Sequence, residues 1–508
     1  MNTTNRIIVN TIILYAKILV VMVINLWTVP LLLRALGQSD YGLYQLVAGV
    51  ITMLTFINAA MTISTQRYMS VAMGKSDHAA QLNAIYNVSL LLHLIIGIGL
   101  TVVLELLTPF LFHGFLNIEP GRIGAAEWTY QFLIISTFFT ILSVPFDAEL
   151  NAYENMTVFA IISIIDAFLR LGIALALPYL SGDLLILYGA GMAAIALLNI
   201  VMKYGYTRKK YPVMYPCMSS INKATFKEMF GFAGWNTFGS LAIVGRNQGI
   251  AIVLNKFFGT IINASYGIAN QINGLITYFS ATLQKSINPQ LMISEGMQNR
   301  ERMLKIAFMS SKYSVLITLL LVIPLIIEMP YILELWLHEV PAYTVAFTRL
   351  TLIASIIYQL SAGLMSAIQS TGKIRTYQIT MGVLLLLNIP ISIVLLFYWK
   401  NPEVAFWTMI LIEIICLFVR IAFAYRLTQA DWKYFCRSIL LPLGVTTLVC
   451  FMGIGAFAYI TPSSIGLILV EYILSFIIIG ALSWLWLLSN EEKNYILDMV
   501  RAFTKKIV

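Results

Sequence analysis

The stretch Tyr41-Gly-Leu-Tyr-Gln-Leu-Val-Ala-Gly-Val-Ile-Thr52 returns in altered form as Tyr266-Gly-Ile-Ala-Asn-Gln-Ile-Asn-Gly-Leu-Ile-Thr277. Tyr41/Tyr266, Gly42/Gly267, Gly49/Gly274, Ile51/Ile276 and Thr52/Thr277 are identical at one constant offset. Just upstream, Arg34-Ala-Leu-Gly37 is answered by Lys256-Phe-Phe-Gly259, and at that second offset Asn25 falls on Asn247. Each copy follows one long apolar run and opens the next. The pattern predicts two repeats of one helical unit, a form common among secondary transporters, whose substrate site lies between the halves.

The ruler for those runs is the bilayer, whose hydrocarbon core of about 30 Å needs about 20 apolar residues per helix. It predicts fourteen spans, near 7–33, 43–66, 84–108, 126–147, 157–180, 184–204, 229–255, 264–285, 306–327, 343–369, 377–398, 404–425, 438–460 and 465–488. The expected fold is an all-α polytopic membrane protein. Residues 1–225 form a lobe with helices one to six, residues 226–437 a second with helices seven to twelve, and residues 438–508 two further helices and a tail. Composition agrees. Of 508 residues, 59% are hydrophobic and 11% charged, with a mean hydropathy of +0.85, where a soluble chain carries about one quarter charged residues. The first run is too long for a signal-peptide core and holds Lys17, so it is expected to stay as a span.

Cations fix the expected orientation. With the N-terminus inside, the outer segments hold only Arg34, Arg122, Lys256 and Lys400. The inner segments hold the rest of the loop cations, including Arg208, Lys209, Lys210, Arg300, Arg302 and, in the tail, Arg501, Lys505 and Lys506. That bias places both termini in the cytoplasm. It also accounts for the net charge of +9 without a nucleic-acid partner. The four cysteines, Cys217, Cys416, Cys436 and Cys450, show neither metal spacing nor a disulfide framework. No cofactor or metal is expected.

Polar side chains inside a membrane are costly and face a cavity or another helix. In span eight Asn270, Asn273, Thr277, Ser280 and Gln284 share one helical face. In span two Gln45, Thr52, Thr55, Thr62 and Gln66 form a similar stripe. A hydrated cavity between the lobes is the expected meaning, and helix–helix hydrogen bonding the alternative. Lys17 and Arg246 lie deep in the first helix of each lobe, Arg246 beside Asn247 and Gln248. Both are expected to face the cavity and bind an anion, with pairing to a carboxylate as the alternative. Asp147, Asp166 and Glu413 are candidates to bind a coupling H+ or Na+, although Asp166 and Arg170 stand four apart and can neutralise each other. Lys312, Arg349 and Arg420 are expected to snorkel from span ends. His93 stands alone in mid-span. Pro30, Pro145, Pro324 and Pro390 are candidate kinks.

The stretch Arg34-Ala-Leu-Gly-Gln-Ser-Asp-Tyr-Gly-Leu-Tyr-Gln-Leu-Val-Ala-Gly49, followed by Ser64-Thr-Gln-Arg-Tyr-Met69, resembles the opening of the bacterial polysaccharide biosynthesis, O-antigen-type (Wzx-like) flippases. These belong to the multidrug/oligosaccharidyl-lipid/polysaccharide (MOP) exporter superfamily. The motif covers the first two helices and the architecture the whole chain. The resemblance implies a MATE-like fold in the bacterial inner membrane and no enzyme activity. It implies a substrate, an undecaprenyl-pyrophosphate-linked oligosaccharide carried from the cytoplasmic to the periplasmic leaflet. It also implies partners in membrane lipids, a polysaccharide polymerase and chain-length machinery. Lys17 and Arg246 would then meet the pyrophosphate, and the Asn, Gln and Thr stripes the sugars.

Rival readings differ in what they need. An ion-coupled drug or metabolite antiporter of the same superfamily usually carries an acidic residue in its first lobe, and spans one and two hold no Asp or Glu. A membrane glycosyltransferase or polymerase needs a sizeable outer segment with paired acid–base groups, and the longest outer segments, about 109–125 and 328–342, are short. An ATP-driven exporter needs a phosphate-binding Gly-x-x-x-x-Gly-Lys-Ser/Thr loop, which the chain lacks.

Overall fold

The computed structural model describes residues 3–52, 55–75, 79–112, 118–217, 220–337, 339–461, 463–494 and 497. Its helices run in the order α1 (Thr3–Thr52), α2 (Thr55–Met73), α3 (Ala79–Phe110), α4 (Ile123–Leu142), α5 (Val144–Ala152), α6 (Met156–Ala176), α7 (Leu184–Lys210), α8 (Lys223–Phe258) and α9 (Thr260–Gly296). There follow α10 (Arg300–Ile327), α11 (Met329–Leu337), α12 (Thr344–Leu360), α13 (Ala362–Ser370), α14 (Arg375–Trp399), α15 (Val404–Thr428), α16 (Trp432–Phe435), α17 (Leu441–Ile460) and α18 (Ile465–Leu482). No strand occurs among the described residues.

Among these residues eleven helical segments are long and apolar enough to cross a bilayer, or twelve if the bent pair α12–α13 counts as one span. The remaining two of the fourteen expected spans are 43–66, on the second half of α1 with α2, and 264–285, on α9. These are the two that carry the polar stripes: the first contains residues 53 and 54, which lie outside the described residues, and in the second the polar side chains lower the hydropathy.

The duplicated motif has a backbone counterpart. Gly37 breaks α1 at φ 77°, and Gly259 stands between α8 and α9 at φ 84°. Both conformations favour glycine, and the two residues are partners in the sequence repeat. The expected proline kinks distribute differently. Pro30, Pro324 and Pro390 lie inside continuous helices. Pro145 opens α5 after a break at Ser143, where a missing N–H costs nothing. The 44° bend between α12 and α13 occurs at Ser361, without a proline.

The chain forms two compact units. The first comprises Met1–Leu241, Lys285–Arg300 and Ile374–Ile379. In it α4 packs on α7, α1 on α6 and α2 on α5. One core gathers Leu36, Val47, Leu104, Tyr130, Leu177 and Tyr188, and a second gathers Met69, Leu82, Tyr86, Phe146 and Met229. Arg122 bonds Asp40 at 2.6 Å and Asp183 at 2.5 Å, while Asp183 Oδ1 also accepts from Leu185 N–H and Ile186 N–H to cap α7. Three chain connections are thereby tied at one end of the unit. At another place Asn83 and Asn87 of α3 hold the segment after α7. Asn83 Oδ1 accepts from Tyr215 N–H at 3.0 Å, Asn87 Oδ1 from Cys217 N–H at 2.6 Å, and Asn87 Nδ2 donates to Tyr215 O.

The second unit comprises Ala242–Gln284, Glu301–Lys373 and Thr380–Val508. Its core gathers Val253, Leu254, Tyr266, Phe347, Leu396 and Phe406. α17 and α18 pack on each other, and Tyr472 of α18 donates to Leu321 O of α10 at 3.2 Å. Lys312 and Arg349 do not snorkel as expected. Lys312 is buried and bonds Glu492 at 2.5 Å. Arg349 donates to the carbonyls of Ile326 and Ile327, at 2.8 and 3.1 Å, satisfying the end of α10. In both cases a partner inside the unit replaces water. His93 is fully buried, with Nδ1 2.6 Å from Ser89 O, a packed histidine. The tail cations Arg501, Lys505 and Lys506 lie outside the described residues.

Candidate substrate and ion sites

In the first unit, Lys17 of α1 and Lys285 of α9 share one aromatic ring. Lys17 Nζ lies 5.3 Å and Lys285 Nζ 3.3 Å from the centroid of Phe159 on α6. Lys203 of α7 bonds Asp147 of α5 at 2.8 Å and Ser143 at 3.3 Å. Lys17, Lys203 and Asp147 are all within electrostatic reach of Lys285, and Thr11 and Ser286 bond each other nearby at 2.7 Å. Three ammonium groups thus meet one carboxylate. The ring face offsets part of the repulsion among them.

Lys285 and Lys203 were absent from the sequence expectation because spans eight and six were ended at 285 and 204. α9 continues to Gly296 and α7 to Lys210, so both lysines sit well inside their helices. The signal available was the polar stripe of span eight, which leads directly to Lys285.

A cavity of about 320 Å³ in the same unit is lined by Tyr44, Asn58, Ser136, Thr137, Thr140 and Arg170 among others. Arg170 is held by Asp166, with Nε–Oδ2 2.7 Å, and Asn199 donates to Asp166 at 2.6 Å. The i,i+4 pair anticipated from sequence forms, and Asp166 acquires a second partner in Asn199.

In the second unit Glu413 of α15 stands between two arginines. Arg420 lies 2.6 Å away on the same helix and Arg246 of α8 3.6 Å away. Arg420 also donates to Ser361 at the α12–α13 bend, at 3.0 Å, and lies over the Tyr358 ring. Its expected snorkelling is overturned: it is 2% exposed, because a carboxylate two turns back on the same face offers charge compensation inside the protein. Arg246 donates from Nε to Asn247 Oδ1 at 3.2 Å, and Tyr266 OH donates to Asn247 O at 3.2 Å.

The polar stripe of α9 divides. Ser280 bonds Thr318 at 2.9 Å. Gln284 donates to Ser314 and accepts from Ser310, at 2.8 and 2.9 Å. These are helix–helix bonds to α10. Asn270, Asn273 and Thr277 are half-buried. Thr277 donates to Asn273 O at 2.8 Å, and Asn273 Oδ1 has no partner. Asn25, Gln45 and Gln248 are exposed, Gln45 donating to Tyr41 OH at 2.8 Å. The side chains of Thr52 and Thr55 lie outside the described residues.

The fold and these buried charges define a multi-pass, all-helical membrane protein built like the MATE transporters. A MATE crystal structure in the straight conformation superposes with a TM-score of 0.71, at 14% identity, over 85% of this chain and 97% of that one. An outward-facing multidrug resistance MATE family transporter of the MOP superfamily gives 0.69 at 12% identity over 85% and 97%. A MOP superfamily transporter from Pyrococcus furiosus, described as having a binding pocket of reverse polarity, gives 0.66 at 13% identity over 85% and 97%. No curated protein sequence matches the chain significantly. The family profile of the polysaccharide biosynthesis proteins matches residues 7–291, more than half of the chain. The chain belongs to that family.

Proposed function

We propose that this protein is a flippase of the MOP type that carries a polyprenyl-pyrophosphate-linked oligosaccharide from the cytoplasmic to the periplasmic leaflet of the bacterial inner membrane, by alternating access and without chemistry of its own. The observation that supports the reading is the excess of lysines over carboxylates around Phe159, where the half-buried Lys17, Lys285 and Lys203 meet the single carboxylate of Asp147, in a member of a polysaccharide biosynthesis family. A pyrophosphate bears the opposite charge, and ammonium groups bind phosphate oxygens through short, charge-assisted hydrogen bonds. Moving such a headgroup through hydrocarbon without compensation is prohibitive, so Lys17, Lys285 and Lys203 would lower the barrier. In the second unit, Arg246, Asn247, Asn270 and Asn273 would supply donors to a pyrophosphate or a sugar. Asp147, Asp166 and Glu413 would be the residues that couple transport to H+ or Na+. Both termini lie in the cytoplasm, and polymerase and chain-length proteins take the product outside.

The test is translocation in proteoliposomes. A radiolabelled prenyl-pyrophosphate oligosaccharide is placed in the outer leaflet, and its protection from an external glycosidase is followed with and without the protein. Protein-dependent protection that depends on the sugar supports the flippase. Absence of protection with several oligosaccharides, in a folded preparation, overturns it in favour of a small-molecule antiporter.

A further inference from the structure

Around Glu149 the first unit buries polar groups that their surroundings leave unsatisfied. Glu149 and Asn151 of α5 are 0% exposed. Neither carboxylate oxygen of Glu149 and neither amide atom of Asn151 has a hydrogen-bond partner. The three guanidinium nitrogens of Arg208 on α7 are also buried and unpartnered, as is the hydroxyl of Tyr86 on α3. The Arg208 guanidinium lies over two rings, 4.7 Å from the centroid of Tyr86 and 5.4 Å from that of Tyr204. It is within electrostatic reach of Glu149. The Thr207 hydroxyl lies beside Glu149, close enough to interact with it, and donates to Tyr204 O at 3.3 Å. Asp147, two residues earlier on α5, is not part of this group, since its partner is Lys203.

An ionised carboxylate and a guanidinium, both dry and both unbonded within each other's field, make an unstable combination. Each buried group left without its hydrogen bond costs about 1–3 kcal/mol, and more when charged. Two such groups lower their free energy by bonding to each other, unless the carboxylate has taken up a proton. A neutral carboxylic acid tolerates burial far better than its anion and exerts no pull on a guanidinium. Arg208 keeps its charge and rests on the faces of two aromatic rings, which stabilise a desolvated cation. A metal ion does not suit the place, because the guanidinium would repel it.

We propose that Glu149 is a proton-binding site and that Glu149 and Arg208 form a two-state pair. With Glu149 protonated, Arg208 lies on Tyr86 and Tyr204, as in this structure. When Glu149 gives its proton to water, Arg208 leaves the rings and bonds the carboxylate. Among the described residues the titratable groups that interact with Glu149 include Arg208, Tyr86, Tyr153 and Tyr211, and of these Arg208 is the cationic partner. It links α5 to α7, and on the flippase reading it would be a step at which proton movement drives rearrangement of the first unit. The proton site itself does not depend on that reading.

The test uses the full chain in lipid nanodiscs, with infrared spectra recorded across a pH titration. We expect a carboxylic-acid carbonyl band that titrates in wild type and is missing in Glu149→Gln. Arg208→Gln, which removes the partner of the ionised state, should move that titration upward by about one pH unit, a tenfold gain in proton affinity. A spectrum of Glu149→Gln that keeps every acid band of wild type overturns the proposal. If Glu149→Gln does not fold, Arg208→Gln decides alone, and an unmoved titration overturns it. The readout needs no substrate, so a failed translocation assay and a failed proton site are separate results.

Discussion

Lys17 and Lys285 place their ammonium groups on the same ring, 5.3 and 3.3 Å from the centroid of Phe159. Two like charges are brought together where each could have been replaced by an apolar side chain. In such surroundings their repulsion is larger than in water, and on the proposed flippase reading an anion would relieve it. Each charge-assisted hydrogen bond to a ligand contributes about 1.5–3 kcal/mol. Lys17→Ala and Lys285→Ala should therefore each slow translocation by about tenfold or more, since 1.4 kcal/mol is about a factor of ten. Initial rates in proteoliposomes, with melting curves to show that both variants fold, check this. Wild-type rates in both variants would remove the anion site.

Glu413 compensates Arg420 at 2.6 Å and Arg246 at 3.6 Å. Removing the carboxylate leaves two buried guanidinium groups without it, and breaking a buried pair from one side costs about 3–5 kcal/mol. Glu413→Ala should accordingly melt well below wild type in detergent. Arg246→Ala should be milder, because Arg420 still neutralises Glu413. Equal melting of all three proteins would show that the cluster does not hold the second unit together.

Much of the fold was legible in the sequence. The repeat that sets Arg34-Ala-Leu-Gly37 against Lys256-Phe-Phe-Gly259 identified two glycines that both adopt positive φ, because a turn of that shape excludes other residues. Spans could be read from apolar length, because hydrocarbon thickness fixes it. The charges were harder. Arg420 looked near enough to an end to snorkel, and Lys285 looked like the end itself. Whether a charged side chain turns outward depends on a partner brought by another helix, or on how far a helix runs past the membrane. Neither is encoded in local hydropathy. Glu149 and Arg208 show the same limit, since their relation arises only when α5 packs beside α7.

Gly363, just after the bend at Ser361, packs against α10. A methyl group built there would overlap the carbonyl oxygen of Ala307, and it would lie 2.9 Å from Ser311 N, which is closer than real Cβ atoms approach. The backbone must move, because neither contact is a flexible side-chain tip. Overpacking of this kind costs about 1–3 kcal/mol. It would also disturb the bond from Gly363 N–H to Ser311 Oγ, 3.0 Å long. Gly363→Ala should lower the melting temperature, while Gly444→Ala, whose surroundings are open, should not. A Gly363→Ala protein as stable as wild type would show that α10 and α13 do not approach this closely.

The Arg122 clasp gives a dependence on acid. Arg122 bonds Asp183 at 2.5 Å, and the guanidinium beside it holds the Asp183 carboxyl below the usual carboxylate range. A carboxylate whose folded value is depressed contributes stability above its unfolded value, near 4 for aspartate. It loses that contribution as pH falls through the folded value. The pair is partly exposed, so its worth at neutral pH is about 1 kcal/mol or less. Arg122→Gln should therefore melt slightly below wild type at neutral pH, and the gap should narrow below about pH 4 and close only as pH falls through the depressed folded value of Asp183. Added salt should narrow the gap in the same direction. Melting curves across pH and ionic strength measure it. A gap that stays constant from neutral pH into acid would mean that Arg122 acts through packing, and that the charge on Asp183 contributes nothing to holding the three connections together.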